Sequence, residues 1–346
     1  MKDFQISGNE AIKRIDISEI DDFSIGHAHD EKGLTGCTVI ICNKNDNFVS
    51  GMDVRGGLPG TRNTDLMSPM NDPQCCDAIL LSGGSYYGME AASGVEKYLE
   101  ERDMGAEVRG IRIPAVAEAI IFDLALGDSK SRPDAEMGYR ACLNAENKLP
   151  WKDGNTGAGM GASVGKLAGM ERAVKGGLGS CCIKAGDLYV GAVVAVNAVG
   201  NIVDPYSGRI LAGSLSEDKR DFVDIEDIII RNYADTEKAG IQNDGGKTTI
   251  GTVLTNAKIS KAQAAKISSL AHDGLARMIR PVHTMSDGDT IFTVAAGKVE
   301  AELLVLEVMT VKAVEQAIAS AVSCARGKGG LPCAEDIAAM SLREIS

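Results

Sequence analysis

The chain has 346 residues, of which 44% are hydrophobic and 24% charged, and its net charge is -12. That composition fits a soluble globular protein of one large or two ordinary domains. An acidic balance without any basic block argues against nucleic acid and anionic membrane as partners.

The N-terminal stretch lacks the apolar core of a signal peptide. The most apolar run, "VGAVVAVNAVG", is far too short to span a membrane. A cytoplasmic location is therefore expected. The nine cysteines include two vicinal pairs, Cys75-Cys76 and Cys181-Cys182, and no C-x-x-C. They read as reduced thiols, and no disulfide framework, metal site or cofactor is expected. Glycine is abundant: 40 residues, about 12% against a usual value of about 7%. Its clusters, such as "DVRGGLPGTR" and "GNTGAGMGASVGK", predict tight turns and close backbone approach.

In chain order, "GCTVIICN" and "DAILLSGG" read as buried strands bounded by turn signals. "SYYGMEAASGVEKYLEERD" reads as a helix with an apolar stripe, and "RPDAEMGYRACLNAEN" as another with Pro133 in its first turn. "LYVGAVVAVNAVGNIVDP" predicts two strands joined at a tight turn around Gly200. "DIEDIIIRNYADTEKAGIQND" ends polar and reads as helix or loop, and "TTIGTVLTNA", rich in β-branched residues, reads as a strand. Ser260 is the N-cap candidate of the helix "SKAQAAKISSLAHDGLARMI". "TIFTVAAG" is a further strand, and the C-terminal "VEAELLVLEVMTVKAVEQAIASAVSCA" a long helix with room for an interruption. Nearly continuous apolar strands are buried on both faces. They predict stacked sheets covered by helices, an α/β protein folding as a single domain over 1–346.

Chemistry concentrates near "NDGGKTTIGTV". A phosphate loop needs glycine five places before Gly246, but Ile241 stands there and Gly240 is one place too early. A strand, not a helix, follows, so the helix N-terminus that holds phosphate is missing. What remains is a glycine-rich loop delivering Thr248 to the start of a strand. A threonine hydroxyl becomes a nucleophile when its own free α-amino group acts as base. Here that amine appears only if the Lys247–Thr248 bond is cut, and Gly245-Gly246 give the loop the freedom to do so. The same pattern is also an ordinary turn.

Asp287 and Asp289 flank Gly288 ahead of a strand. Paired carboxylates can hold an ammonium, orient a nucleophile or share a proton, and Asp-Gly also simply favours turns. His283, close by, reads as structural. Asn197, inside an apolar run, is an oxyanion donor or a strand-end turn residue. Lys166 is a solvated surface lysine or the partner of a buried carboxylate.

Together the ordered motifs "SIGHAHD", "GMDVRGGLPGTRNTDL", "IPAVAEAIIFDLALGD", "GNTGAGMGASVGK", "VGAVVAVNAVGNIVDP", "TTIGTVLTNA" and "LAHDGLARMIRPVHTMSDGDT" resemble the L-aminopeptidase/D-esterase family. That family includes β-peptidyl aminopeptidases and endo-type nylon-oligomer hydrolases. The resemblance runs from about Ile20 to about Gly297. It implies a four-layer α/β/β/α sandwich of the Ntn-hydrolase-like kind. It also implies autocleavage between Lys247 and Thr248 into an α chain 1–247 and a β chain 248–346. When 36.3 kDa is divided in proportion, these are about 26 and 10 kDa. By the same resemblance Thr248, Asn197, Asp287, Asp289 and Lys166 are the catalytic positions. The implied partner is a small peptide or amide substrate, and the implied assembly a homo-oligomer, tetramer or larger. An acyltransferase of the ornithine-acetyltransferase type and an unprocessed, non-catalytic binding paralogue are the alternatives.

Two positions depart from the family pattern. Relatives commonly carry Asn or Gly where this chain has Lys247, whose bulk and charge predict slow or absent processing. Phe122 falls where several members place an active-site tyrosine, so a substrate-binding hydroxyl is missing there.

Overall fold

A computed structural model describes residues 12–43, 48–236 and 247–343. In chain order the main strands and helices are β1 (Ile12–Ile15), β2 (Phe23–Asp30), β3 (Thr35–Cys42), β4 (Val49–Val54), β5 (Thr61–Arg62), β6 (Ala78–Ser82), α1 (Ala91–Glu100), β7 (Val116–Ile120) and α2 (Ala135–Glu146). They continue with β8 (Gly177–Ala185), β9 (Leu188–Asn197), α3 (Ile225–Thr236), β10 (Thr248–Ala257), α4 (Lys261–Met278), β11 (Thr290–Val299), α5 (Leu303–Cys324) and α6 (Ala334–Arg343). One mixed sheet has the order β1-β8-β9-β10-β11-β4, the other β2-β3-β6-β7-β5.

The expected four layers are present, and side-chain alternation explains them. Along β9, Val190, Ala192, Val194 and Val196 face α4 and α5, while Tyr189, Val193 and Ala195 face the second sheet. Along β3, Val39 and Ile41 meet α1 and α2, while Ile40 points between the sheets. A strand with period two buried on both faces has no polar face to show. Where α1 and α2 cross, a Cβ on Gly94 would lie 1.8 Å from the Ala135 carbonyl and one on Gly138 2.0 Å from that of Ala91. Much of the excess glycine thus serves close approach.

Several local expectations change. The predicted helix from Ser85 begins as a 3₁₀ turn, Ser85–Glu90, because Ser85 enters it left-handed at φ 54. Pro133 lies outside α2: Asp134 is its N-cap, its side chain accepting from Met137 N at 2.9 Å. The strands on either side of Gly200 belong to different sheets, since Asn201–Val203 pairs with Ile210–Ala212 and Ile279–Arg280. The C-terminal helix is unbroken from Leu303, and Val299 still belongs to β11. Ser260 caps α4 in a full capping box with Gln263. Among the described residues no helix is long and apolar enough to cross a membrane.

Candidate active site

Thr248 is the first residue of β10, and the antiparallel register sets it opposite Asn197, the last residue of β9. The turn before β11 closes the third side. Asp287 accepts from Thr284 N at 2.7 Å and from Thr284 Oγ1 at 2.5 Å, which folds the turn. Asp289 accepts from Thr249 N at 2.7 Å, His283 N at 3.1 Å and His283 Nδ1 at 2.8 Å, tying that turn to β10.

Between them the Gly288 N–H donates to the Lys247 carbonyl and to Thr248 Oγ1, each at 3.1 Å. The Thr248 hydroxyl in turn donates to the Lys247 carbonyl. A Cβ on Gly288 would stand 2.8 Å from Thr248 Oγ1 and 2.7 Å from the Leu58 carbonyl, so the close approach requires glycine. Gly245 and Gly246, whose freedom the sequence invoked, lie outside the described residues.

Lys166 opens a short 3₁₀ turn, Lys166–Ala168, after left-handed Gly165. Its ammonium donates to the main-chain carbonyl of Asn197 at 3.0 Å and to Asn197 Oδ1 at 2.6 Å. The same Oδ1 accepts from Ser163 N at 3.0 Å, and Asn197 Nδ2 donates to the Phe122 carbonyl at 3.1 Å. Phe122 is half-buried and reaches the site through this main-chain oxygen. Every site residue predicted from sequence therefore lies at one end of the two sheets. Lys166, Asn197, Lys247, Thr248, Asp287 and Asp289 are all buried.

Burial makes these charges costly and shifts their proton affinity. Burial first, and the ammonium of Lys247 next, pull Lys166 down to about 7. Burial, with the Asp289 carboxylate beside it, pushes Asp287 up to about 6. Both groups are thus brought toward neutrality from opposite sides, the range in which a side chain can exchange protons.

Sequence reading did not single out two residues of this cluster. Gly288 passed as a turn residue, although a glycine between two aspartates ahead of a strand is the available signal for a main-chain N–H turned toward the site. His283 read as structural, yet its ring binds Asp289 and packs edge-on against His272, with ring centroids 4.8 Å apart. Leu58 and Met285 are exposed, and the Leu58 main chain lies beside Gly288. A cavity of about 720 Å³ bordered by Tyr206, Met278 and Glu315 lies elsewhere and contains none of these residues.

The model of "Peptidase family S58" matches residues 16–332. An uncharacterized aminopeptidase of Mycobacterium leprae is 40% identical over 300 residues, covering 82% of this chain and 79% of that protein. A 6-aminohexanoate-oligomer endohydrolase of Paenarthrobacter ureafaciens is 33% identical over 277 residues, covering 80% of this chain and 74% of that protein. Among solved structures, a Burkholderia sp. beta-aminopeptidase superposes with a TM-score of 0.67 at 18% identity, over 95% of this chain and 93% of that one. The L-aminopeptidase D-Ala-esterase/amidase of Ochrobactrum anthropi, described as a variant of the Ntn hydrolase fold, superposes with a TM-score of 0.66 at 15% identity over the same shares, 95% and 93%. At such identities the structural likeness speaks for the fold, which is Ntn-hydrolase-like. The family match over nearly the whole described chain settles the rest: the protein is a hydrolase belonging to peptidase family S58.

Proposed function

We propose that this chain cuts its own Lys247–Thr248 bond and then uses Thr248 as an N-terminal nucleophile on small amides or peptides. The observation that carries the reading is the Gly288 N–H, 3.1 Å from both the Lys247 carbonyl oxygen and Thr248 Oγ1. A donor in that position meets negative charge as it develops on the carbonyl oxygen.

In self-cleavage Thr248 Oγ attacks the Lys247 carbonyl carbon. The C–N bond breaks, the nitrogen takes a proton, and an ester joins Lys247 to the hydroxyl oxygen. Water then hydrolyses the ester, leaving a carboxylate on Lys247 and an amine on Thr248. Before the cut that amine is tied up in the peptide link, so Lys166 is the proton acceptor in this first round. Afterwards the Thr248 amine, with a pKa of about 7.7–8.0, takes the role. Substrate follows the same course through an acyl-Thr ester. Asp289 anchors the Thr249 N–H, Asp287 holds the turn that carries the Gly288 donor, and Asn197 fixes Lys166. The named relatives, an aminopeptidase and an amide endohydrolase, both break amide bonds, which supports a peptide or amide substrate here.

The test is a denaturing gel, intact mass and N-terminal sequencing of freshly purified protein. Fragments of about 26 and 10 kDa, the second beginning Thr-Thr-Ile-Gly, are expected from an even division of 36.3 kDa. A single full-length species that persists on incubation overturns self-processing. Phe122, which lacks a hydroxyl, favours the second reading, an unprocessed binding protein; that protein would stay intact and hydrolyse nothing. An acyltransferase would instead pass the acyl group to an added amine faster than to water. The reading includes a cytoplasmic homo-oligomer, tetramer or larger. The exposed Leu303, Leu304, Val305 and Val308 at the start of α5 support the assembly, and light scattering tests it.

A further inference from the structure

Lys247 sits where the family pattern has a small or neutral residue, yet only 3% of its surface is exposed. Lysine is almost never buried this deeply unless its charge is met. Its main chain bridges to Asp287, and its carbonyl accepts the Gly288 N–H that also reaches Thr248 Oγ1. Its charge acts against that of Lys166, on which the Asp287 carboxylate acts in the opposite sense. Asp287 thus neighbours Lys247 across the backbone bridge and also acts on Lys166.

In the self-cleavage reading, Lys247 is the acyl group of the first ester formed on Thr248. A substrate acyl group later occupies the same linkage on the same oxygen. The space filled by the Lys247 chain is thus a mould of the group the site receives. The inference rests on the Thr248 reading above and adds its substrate class.

We propose that the acyl pocket is selective for L-lysyl groups, so that the enzyme releases N-terminal lysine from peptides and small amides, and that Lys247 fills this pocket until self-cleavage frees it. The lysine that looked like an obstacle to processing is then its matched substrate. In turnover, the Thr248 Oγ–acyl bond forms and the amide C–N bond breaks. The proton from Oγ passes through the Thr248 amine to the leaving amine. Water then releases free lysine and restores the hydroxyl. A norleucyl group has nearly the same length but brings no ammonium into the buried space that holds one in the precursor, and a glutamyl group brings a further carboxylate to a site that already has Asp287 and Asp289.

The experiment uses the cleaved enzyme and the 4-nitroanilides of L-lysine, L-norleucine, L-alanine and L-glutamate. For the lysyl donor kcat/KM is expected to exceed that for norleucyl by about tenfold or more, and that for glutamyl by about a hundredfold, the range that unpaired buried charges impose. An active, cleaved enzyme that handles norleucyl or alanyl donors as well as lysyl overturns the pocket and leaves the nucleophile standing. An uncleaved chain inert toward every donor overturns the Thr248 reading and this inference with it. Self-cleavage gives an independent readout. It should slow about tenfold in Lys247→Ala, more in Lys247→Glu and least in Lys247→Arg, and faster cleavage in Lys247→Ala overturns the inference.

Discussion

Two buried lysines stand near each other in the sequence and in different surroundings. Lys166 holds Asn197, opposite Thr248 in the sheet. Lys175, fully buried in the short strand Val174–Lys175, donates to the carbonyls of Met160, at 2.9 Å, and Ala162, at 2.5 Å, and faces Asp123. Burial pulls each of them down to about 7. Asp123 meanwhile is spoken for by Thr35 Oγ1 and Gly84 N, each at 2.7 Å. The Lys175 site ties the segments 160–162 and 174–175 together, and its neighbour Asp123 already holds a hydroxyl and a main-chain N–H. A depressed lysine therefore does not mark chemistry by itself.

Substitutions can break that comparison. The largest effect belongs to neither lysine: Thr248→Ala should abolish self-cleavage and lower hydrolysis by about a thousandfold or more, read by gel and by release of nitroaniline. Residual activity within tenfold of the parent would move the nucleophile elsewhere. Next, Lys166→Met should slow self-cleavage by about a hundredfold, whereas Lys175→Met should leave the folded enzyme within about threefold of the parent. Equal losses would erase the distinction between the two sites.

The pH dependence sharpens it. With Lys166 pulled down to about 7, the cleavage rate of the precursor should fall about tenfold for each unit below that pH, and Lys166→Met should flatten the profile. Stability shows the smallest effects. Lys175→Met takes the donor from the buried Met160 carbonyl, while Ala162 keeps the Gly176 N–H and Asp123 keeps Thr35 and Gly84, and should cost about 1–3 kcal/mol in denaturant unfolding. Asp287→Asn should do the reverse. Native Asp287 keeps its proton up to about 6, while an unfolded aspartate releases it near 3.9, so between those values the native state binds more protons. The carboxyl consequently costs stability above pH 6, and the cost fades as pH falls toward 4. The variant should gain roughly 1–3 kcal/mol at pH 7.5 and nothing near pH 4; a gain that is flat with pH would reject the buried-carboxylate account.

Much of the layout was legible because burial writes period two or near-continuous apolar runs into strands. β3, β6, β9, β10 and β11 were all foreseen, as was the Ser260 cap of α4. The errors came where backbone conformation, not burial, decides, in the 3₁₀ entry to α1 and the start of α2 after Pro133; the two strands about Gly200 were foreseen, but not that they join different sheets. For the site, local chemistry singled out Thr248, Asn197, Asp287, Asp289 and Lys166 only beside ordinary turn and surface readings, and the family resemblance chose between them. Nothing in "GASVGKLAG" says that its lysine is buried, and nothing in "MSDGDT" says that the glycine N–H points at Thr248.

The sequence by itself determined which segments are buried on both faces, and hence two stacked sheets between helices, because hydrophobic periodicity is a local property. Only the tertiary structure decided that residues 166, 197, 248 and 288 meet. Their contacts depend on the register of β9 against β10 and on where the turn before β11 lands, and one residue of slippage would turn Thr248 to the other face of its sheet.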